Sequence, residues 1–207
     1  MTDKEMKIAR YREANKSAVK GQVVFAGSSL MEMFPIRKLQ QEKGDDRMIY
    51  NRGVGGFLSG ELLAVIDVCV TQLLPAKVFI NIGTNDLSWS SIPICELMDR
   101  YDQILTAIED AVPGVRIYLM AYYPVNEAAA SPEMRDCLKI RTNEKISAAN
   151  EEVKKLAAKH GQRYIDVNDK LRDEQGRLRA EYTIEGMHIN EAGYRAIYDD
   201  IMAYVRE

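Results

Sequence analysis

Residues 23–35 read VVFAGSSLMEMFP. The run Val23-Val24-Phe25-Ala26 has the β-branched and aromatic character of a strand buried on both faces. It ends abruptly in Gly27-Ser28-Ser29-Leu30, so a buried strand here delivers two hydroxyls to the edge of a sheet. One reading is an ordinary turn whose serine caps the next helix. The other is a nucleophile presented at a strand end, with the choice between Ser28 and Ser29 open. What the rest of the chain brings to the same edge decides between them.

Working outward, strands alternate with helices along the whole chain. Thr2 and Glu5 have capping-box spacing and open a helix expected to run to about Val19, with Gly21 stopping it before a first strand over 22–26. A second strand is expected over 47–51. Ser59 then caps one helix through Leu74, ended by Pro75. The remaining strands are expected over 77–82, 115–121 and 163–167. Between them lie helices over 94–111 and from about 133 to His160-Gly161, and a last helix runs from about Asn190 to the C-terminus. No repeat or linker interrupts this order, so the chain reads as one α/β domain, 1–207, with the N-terminal helix of residues 1–20 packed on it. Strand–helix–strand units predict a parallel sheet with helices on both faces, and such sheets bind ligands beyond the carboxyl ends of their strands.

Four stretches fall at that rim: Gly27-Ser28-Ser29, Gly53-Val54-Gly55-Gly56, Gly83-Thr84-Asn85-Asp86 and, before the last helix, Glu185-Gly186-Met187-His188. Each has a plain structural reading as a turn or cap. The glycine stretch does not fit the dinucleotide spacing, because the third glycine position is Leu58. Together they supply a serine, a base, a carboxylate to orient the base, and amide donors for an oxyanion, which is what nucleophilic acyl transfer needs. Of the two histidines, His160 sits in the last turn of a helix, where the helix dipole explains it, and His188 is left as the base.

In these blocks the chain resembles the SGNH hydrolases, the GDSL-type esterase/lipase family. The resemblance implies a flavodoxin-like three-layer α/β/α sandwich with a five-stranded parallel sheet in the order 2-1-3-4-5. It places the nucleophile at Ser29, with Ser28 standing where the family commonly has Asp. It implies an oxyanion hole of the backbone N–H groups of Ser29 and Gly56 and the side-chain amide of Asn85. It also implies a triad of Ser29, His188 and Glu185, with Glu where the family has Asp. Should Glu185 fall short of the imidazole, a backbone carbonyl is the other candidate to orient it.

Composition narrows the remaining classes. The net charge of −3, with no basic run, argues against a nucleic-acid partner. The charged N-terminal stretch reads as neither a secretory signal nor a membrane span, so no stable membrane association is expected. Cys69, Cys95 and Cys137 are scattered, which suits a reducing, cytoplasmic location and suggests neither a disulfide framework nor a metal site. The expected activity is hydrolysis of short acyl, foremost acetyl, esters of a small soluble substrate such as an acetylated carbohydrate, with no cofactor and no metal. Tyr122-Tyr123-Pro124-Val125 and Trp89 are the candidate substrate walls. A lysophospholipase, an acyl-thioesterase, and a non-catalytic small-ligand module on the same fold are the competing readings. The oligomeric state stays open, a homodimer included.

Overall fold

Five short strands, β1 (Val23–Gly27), β2 (Ile49–Gly53), β3 (Lys77–Asn81), β4 (Arg116–Met120) and β5 (Arg163–Ile165), form one all-parallel sheet in the order β2-β1-β3-β4-β5. The computed structural model describes every residue, Met1–Glu207. Alternate side chains of a strand point to opposite faces, and the sequence uses this to build two cores. Val24, Ala26, Val78, Ile80, Ile117 and Leu119 face one layer of helices; Phe25, Phe79, Tyr118 and Met120 face the other. Phe25 and Phe79, paired in register, have ring centroids 5.0 Å apart, and Phe79 stacks on Tyr118 at 4.5 Å. These separations match the spacing of adjacent strands, so the rings form a ladder across the sheet.

Against the first face pack α1 (Asp3–Asn15), α4 (Ser59–Ala64), α5 (Ile66–Cys69), α6 (Ile94–Ala111), α7 (Arg135–Ile140) and α8 (Asn143–Lys159). Against the second pack α2 (Ser29–Glu32), α3 (Ile36–Lys43) and α9 (Glu191–Arg206). The Thr2–Glu5 capping box forms as expected, and Asn190 caps α9 through the Gly193 N–H. No helix is long and apolar enough to cross a membrane.

Several expected elements are shorter or divided. The opening helix stops at Asn15, whose side chain turns inward to donate to Val68 C=O and to accept from Arg52. The expected helix from Ser59 through Leu74 breaks at Val65 (φ −129°) and Val70 (φ −133°), β-branched residues that give up helical geometry at small cost. Ser59 is the first residue of α4 rather than its cap, and its hydroxyl donates to Asp86 instead. The expected helix over 133–160 is two helices. Arg141 leaves helical geometry (ψ 74°), and Thr142 starts α8 by accepting the Lys145 N–H.

The end of β1 tolerates no side chain. Gly27 has φ +152°, and a Cβ there would lie 2.1 Å from the Asn81 carbonyl oxygen of the neighbouring strand. Replacing Gly27 with Ala should therefore destabilise the protein by about 2–4 kcal/mol, from backbone strain plus overpacking, as read by chemical denaturation.

Candidate active site

Ser28 and Ser29 follow Gly27 directly and part company there. Ser28 is fully buried, and its hydroxyl has no hydrogen-bond partner. Ser29 is the first residue of α2 and half-buried, with Oγ 3.0 Å from His188 Nε2. It is Ser29, not Ser28, that meets the imidazole.

His188 arrives on a tight loop. Thr183 and Ile189 form an antiparallel bridge, and the Ile184 N–H donates to His188 C=O at 2.9 Å. Thr183 Oγ1 donates to the same carbonyl and accepts the Gly186 N–H. The closed turn folds Glu185 back on His188. Its Oε1 lies 2.5 Å from Nδ1 and also accepts the His188 backbone N–H at 3.1 Å. The longer side chain of Glu thus reaches the ring, and the carboxylate, not a backbone carbonyl, is the partner of Nδ1. A carboxylate at Nδ1 holds the proton there and leaves the Nε2 lone pair toward Ser29.

The glycine stretch is held from one side by α1. Lys4, Lys7 and Tyr11 have the spacing of a single helix face. The Tyr11 hydroxyl donates to Gly53 C=O at 2.8 Å, and Lys4 Nζ donates to Gly56 C=O at 2.9 Å. Lys7 pairs with Glu32, whose Oε2 accepts the Gly55 N–H at 2.6 Å. Gly56 itself has φ +74°, a left-handed geometry that favours glycine, and its N–H has no partner within the chain. The Ser29 N–H, at the start of a helix, is likewise free.

Asn85 completes the group. Its Nδ2 donates to Phe57 C=O at 3.0 Å, leaving one amide hydrogen unspent, and its Oδ1 accepts from Arg141 Nη2 at 2.9 Å. Next to it, buried Asp86 accepts both the N–H and the hydroxyl of Ser59, tying the β3 loop to the start of α4.

A cleft of about 590 Å³ opens beside these donors, with Gly56, Leu58, Asn85, Trp89, Arg141 and Met187 among its lining residues. Trp89 is 58% exposed and lines it, as the sequence suggested. Tyr122, Tyr123 and Val125 do not. All three are buried, the Tyr122 hydroxyl donates to Ile82 C=O, and Asn150 and Asn143 hold the Tyr122 and Val125 backbones. Pro124 lines a different hollow, with Asn143 and Arg172. Arg141, Lys4 and Glu32 were not anticipated at the site, because their partners lie far away in sequence. The Thr142-Asn143 pair after Arg141 was the one readable sign of a helix break.

His160 lies in an unrelated setting, with Nδ1 2.8 Å from Glu109 and Nε2 2.8 Å from Asp102. Burial pulls its pKa down, but the two carboxylates outweigh that and leave it above the ordinary 6.5. The stabilisation is therefore full below about pH 6.5 and is lost as pH rises through the folded-state value. His160→Gln should cost more stability near pH ~5.5 than near pH ~8.5, measured by denaturant unfolding at both.

A serine hydroxyl, an imidazole and a carboxylate in series, beside unspent N–H donors, are the equipment of an acyl-transfer site. The sequence profile of the GDSL-like lipase/acylhydrolase family matches residues 32–196. The chain belongs to that family and is a carboxylic ester hydrolase. A Streptococcus pneumonia protein, provisionally described as a platelet activating factor, is 33% identical. Its structure matches with a TM-score of 0.87, over 98% of this chain and 92% of that one. A provisionally assigned acylhydrolase from Bacteroides fragilis is 22% identical, with a TM-score of 0.79 over 96% of this chain and 95% of its own. A GDSL-like lipase from Bacteroides thetaiotaomicron is 21% identical, with a TM-score of 0.79 over 96% of this chain and 97% of its own. No curated protein matches the sequence at a significant level.

Proposed function

We propose that the protein is a serine esterase that hydrolyses short-chain acyl esters, foremost acetyl esters, of a small soluble substrate such as an acetylated carbohydrate. The observation that carries this is the unbroken series Ser29 Oγ, His188 Nε2, His188 Nδ1 and Glu185 Oε1, with contacts of 3.0 and 2.5 Å. In the proposed reaction His188 Nε2 takes the Ser29 proton as Oγ attacks the ester carbonyl carbon. The imidazolium that forms is held by Glu185. The carbonyl oxygen, now an oxyanion, accepts from the Ser29 and Gly56 backbone N–H groups and from Asn85 Nδ2. The C–O bond to the leaving alcohol then breaks, with His188 returning its proton to the alcohol oxygen. Water attacks the acyl-serine by the same route, releasing the acid and restoring the Ser29 hydroxyl.

An acetyl xylan esterase 18% identical to this chain shares the fold, and an acetylated sugar is accordingly the first substrate to test. The apolar walls Leu58, Trp89, Ile140 and Met187 favour a second reading, a lysophospholipase with a longer acyl chain. A panel of 4-nitrophenyl esters separates the two: kcat/KM falling with acyl length supports the short-chain reading, and kcat/KM rising with length supports the other.

Two outcomes test the chemistry. A fluorophosphonate should form an adduct on Ser29, mapped by mass spectrometry, and the adduct should be lost in His188→Ala; labelling of Ser28, or none in folded protein, would refute the assignment. Asn85→Ala should keep its fold and lose about 10²–10³ in kcat; turnover near wild type would remove Asn85 from the oxyanion hole.

A further inference from the structure

Two cations line the cleft, Lys4 and Arg141. Lys4 is paired with Glu61 at 2.7 Å, whereas Arg141, only 3% exposed, has no carboxylate within ion-pair distance. The acceptors around its guanidinium are all neutral. Nη2 donates to Asn85 Oδ1 at 2.9 Å, Nε donates to Ser88 Oγ at 2.7 Å, and Nη1 lies against Met187 Sδ. Burial lowers the group's pKa to about 10, opposed by Cys137, Asp86 and Glu185, so it keeps its charge at neutral pH. A buried cation with no carboxylate in contact is costly and calls for an explanation.

We propose that Arg141 is a positioning residue of the oxyanion hole: it fixes which end of the Asn85 amide faces the cleft and polarises that amide toward the developing oxyanion. The inference rests on the esterase reading above. A primary amide has two ends of nearly equal shape, and a flipped Asn85 would aim an acceptor at the oxyanion. Arg141 offers only donors to one end, and Phe57 C=O only an acceptor to the other. Between them a single orientation is satisfied. The guanidinium N–H, the amide Oδ1 and the remaining Nδ2 hydrogen then stand in series, so a charge at one end strengthens the bond donated at the other.

Asp86 and Glu185 act on the guanidinium from beyond contact, and the oxyanion, when it forms, adds a negative charge at the far end of the hydrogen-bonded series. An interaction realised mainly in the transition state acts on kcat rather than on substrate binding. The same logic accounts for the break between α7 and α8. Arg141 leaves helical geometry at the junction, and Thr142 restarts the helix, so the side chain that reaches Asn85 comes from the gap between them.

The test uses the full chain with 4-nitrophenyl acetate as probe, comparing wild type, Arg141→Met, Arg141→Lys, Asn85→Ala and the Asn85→Ala/Arg141→Met double variant. Arg141→Met should lower kcat about 10–100-fold with KM within about 2-fold. Arg141→Lys, which keeps the charge but not the planar fork, should recover only part of the loss. The double variant should be no slower than Asn85→Ala alone, because the effect of Arg141 passes through Asn85. Unchanged kcat, a change in KM alone, or losses that multiply in the double variant would each overturn the proposal. If Arg141→Met fails to fold, Arg141→Lys decides, and wild-type kcat there overturns it. A wild-type protein that neither cleaves the probe nor takes the fluorophosphonate on Ser29 overturns the esterase reading and this inference with it. An active wild type with an unaffected Arg141→Met overturns this inference alone.

Discussion

In the sheet, Gly27 stands opposite Gly53 of β2 on one side and Asn81 of β3 on the other, so three parallel strands stop level with one another. Parallel pairing makes their carboxyl ends share one edge, and the register makes the loops that follow begin at the same height. The close approach of Gly27 to the Asn81 carbonyl is open only to glycine, since a larger residue would have to push the strands apart. Everything at the site descends from that register. Ser29 is two residues beyond one strand end, Gly56 three beyond the next, and Asn85 four beyond the third. With such short tethers the loops have little freedom to place their polar groups elsewhere.

Short tethers do not by themselves orient N–H groups, and charged side chains do that at the rim. Glu32 accepts the Gly55 N–H, Lys4 holds Gly56 C=O, and Asp86 grips Ser59. Asp86 is fully buried and Lys4 and Glu32 are partly exposed, and each makes charge-assisted hydrogen bonds to backbone, which are stronger than neutral ones. The peptide carrying the Gly56 N–H is consequently flanked by two fixed neighbours. This leaves its donor free for a ligand, without the freedom to turn away. Preorganisation of this kind matters for an oxyanion site, because donors that must reorient during reaction give back part of what they contribute.

The carboxylate–imidazole pair follows a different principle. Glu185 and His188 are three residues apart in a turn closed by its own hydrogen bonds, so their contact is local. Only the meeting of His188 with Ser29, 159 positions away in the chain, is tertiary. It depends on α9, which is anchored on the α2 side of the sheet by the Tyr194 hydroxyl donating to Leu30 C=O at 2.7 Å. The turn that holds His188 and the helix that begins with Ser29 are thereby packed as one unit on the second face.

Much of this was legible from residues 23–35 outward, because buried parallel strands write themselves as short apolar runs and the rim as glycine, serine and asparagine just after them. The five strands, the α6 helix, the Thr2 cap, the start of the last helix near Asn190 and the glycine, asparagine and histidine stretches were all readable as local patterns. What the local pattern did not contain was the direction of side chains in irregular backbone. Tyr122 and Tyr123 looked like a wall and are core, since the loop after β4 runs inward and is stapled by Asn143 and Asn150. Helical periodicity ran straight through Val65, Val70 and Arg141, where packing bends the chain. The strand order and the choice of Ser29 over Ser28 were carried by the family resemblance and not by the local pattern, while the hold of Lys4 on Gly56 and the arrival of Arg141 behind Asn85 belong to tertiary structure alone. Each is a contact between segments remote in sequence, and hydrophobic spacing carries no information about which remote segment a polar group will meet.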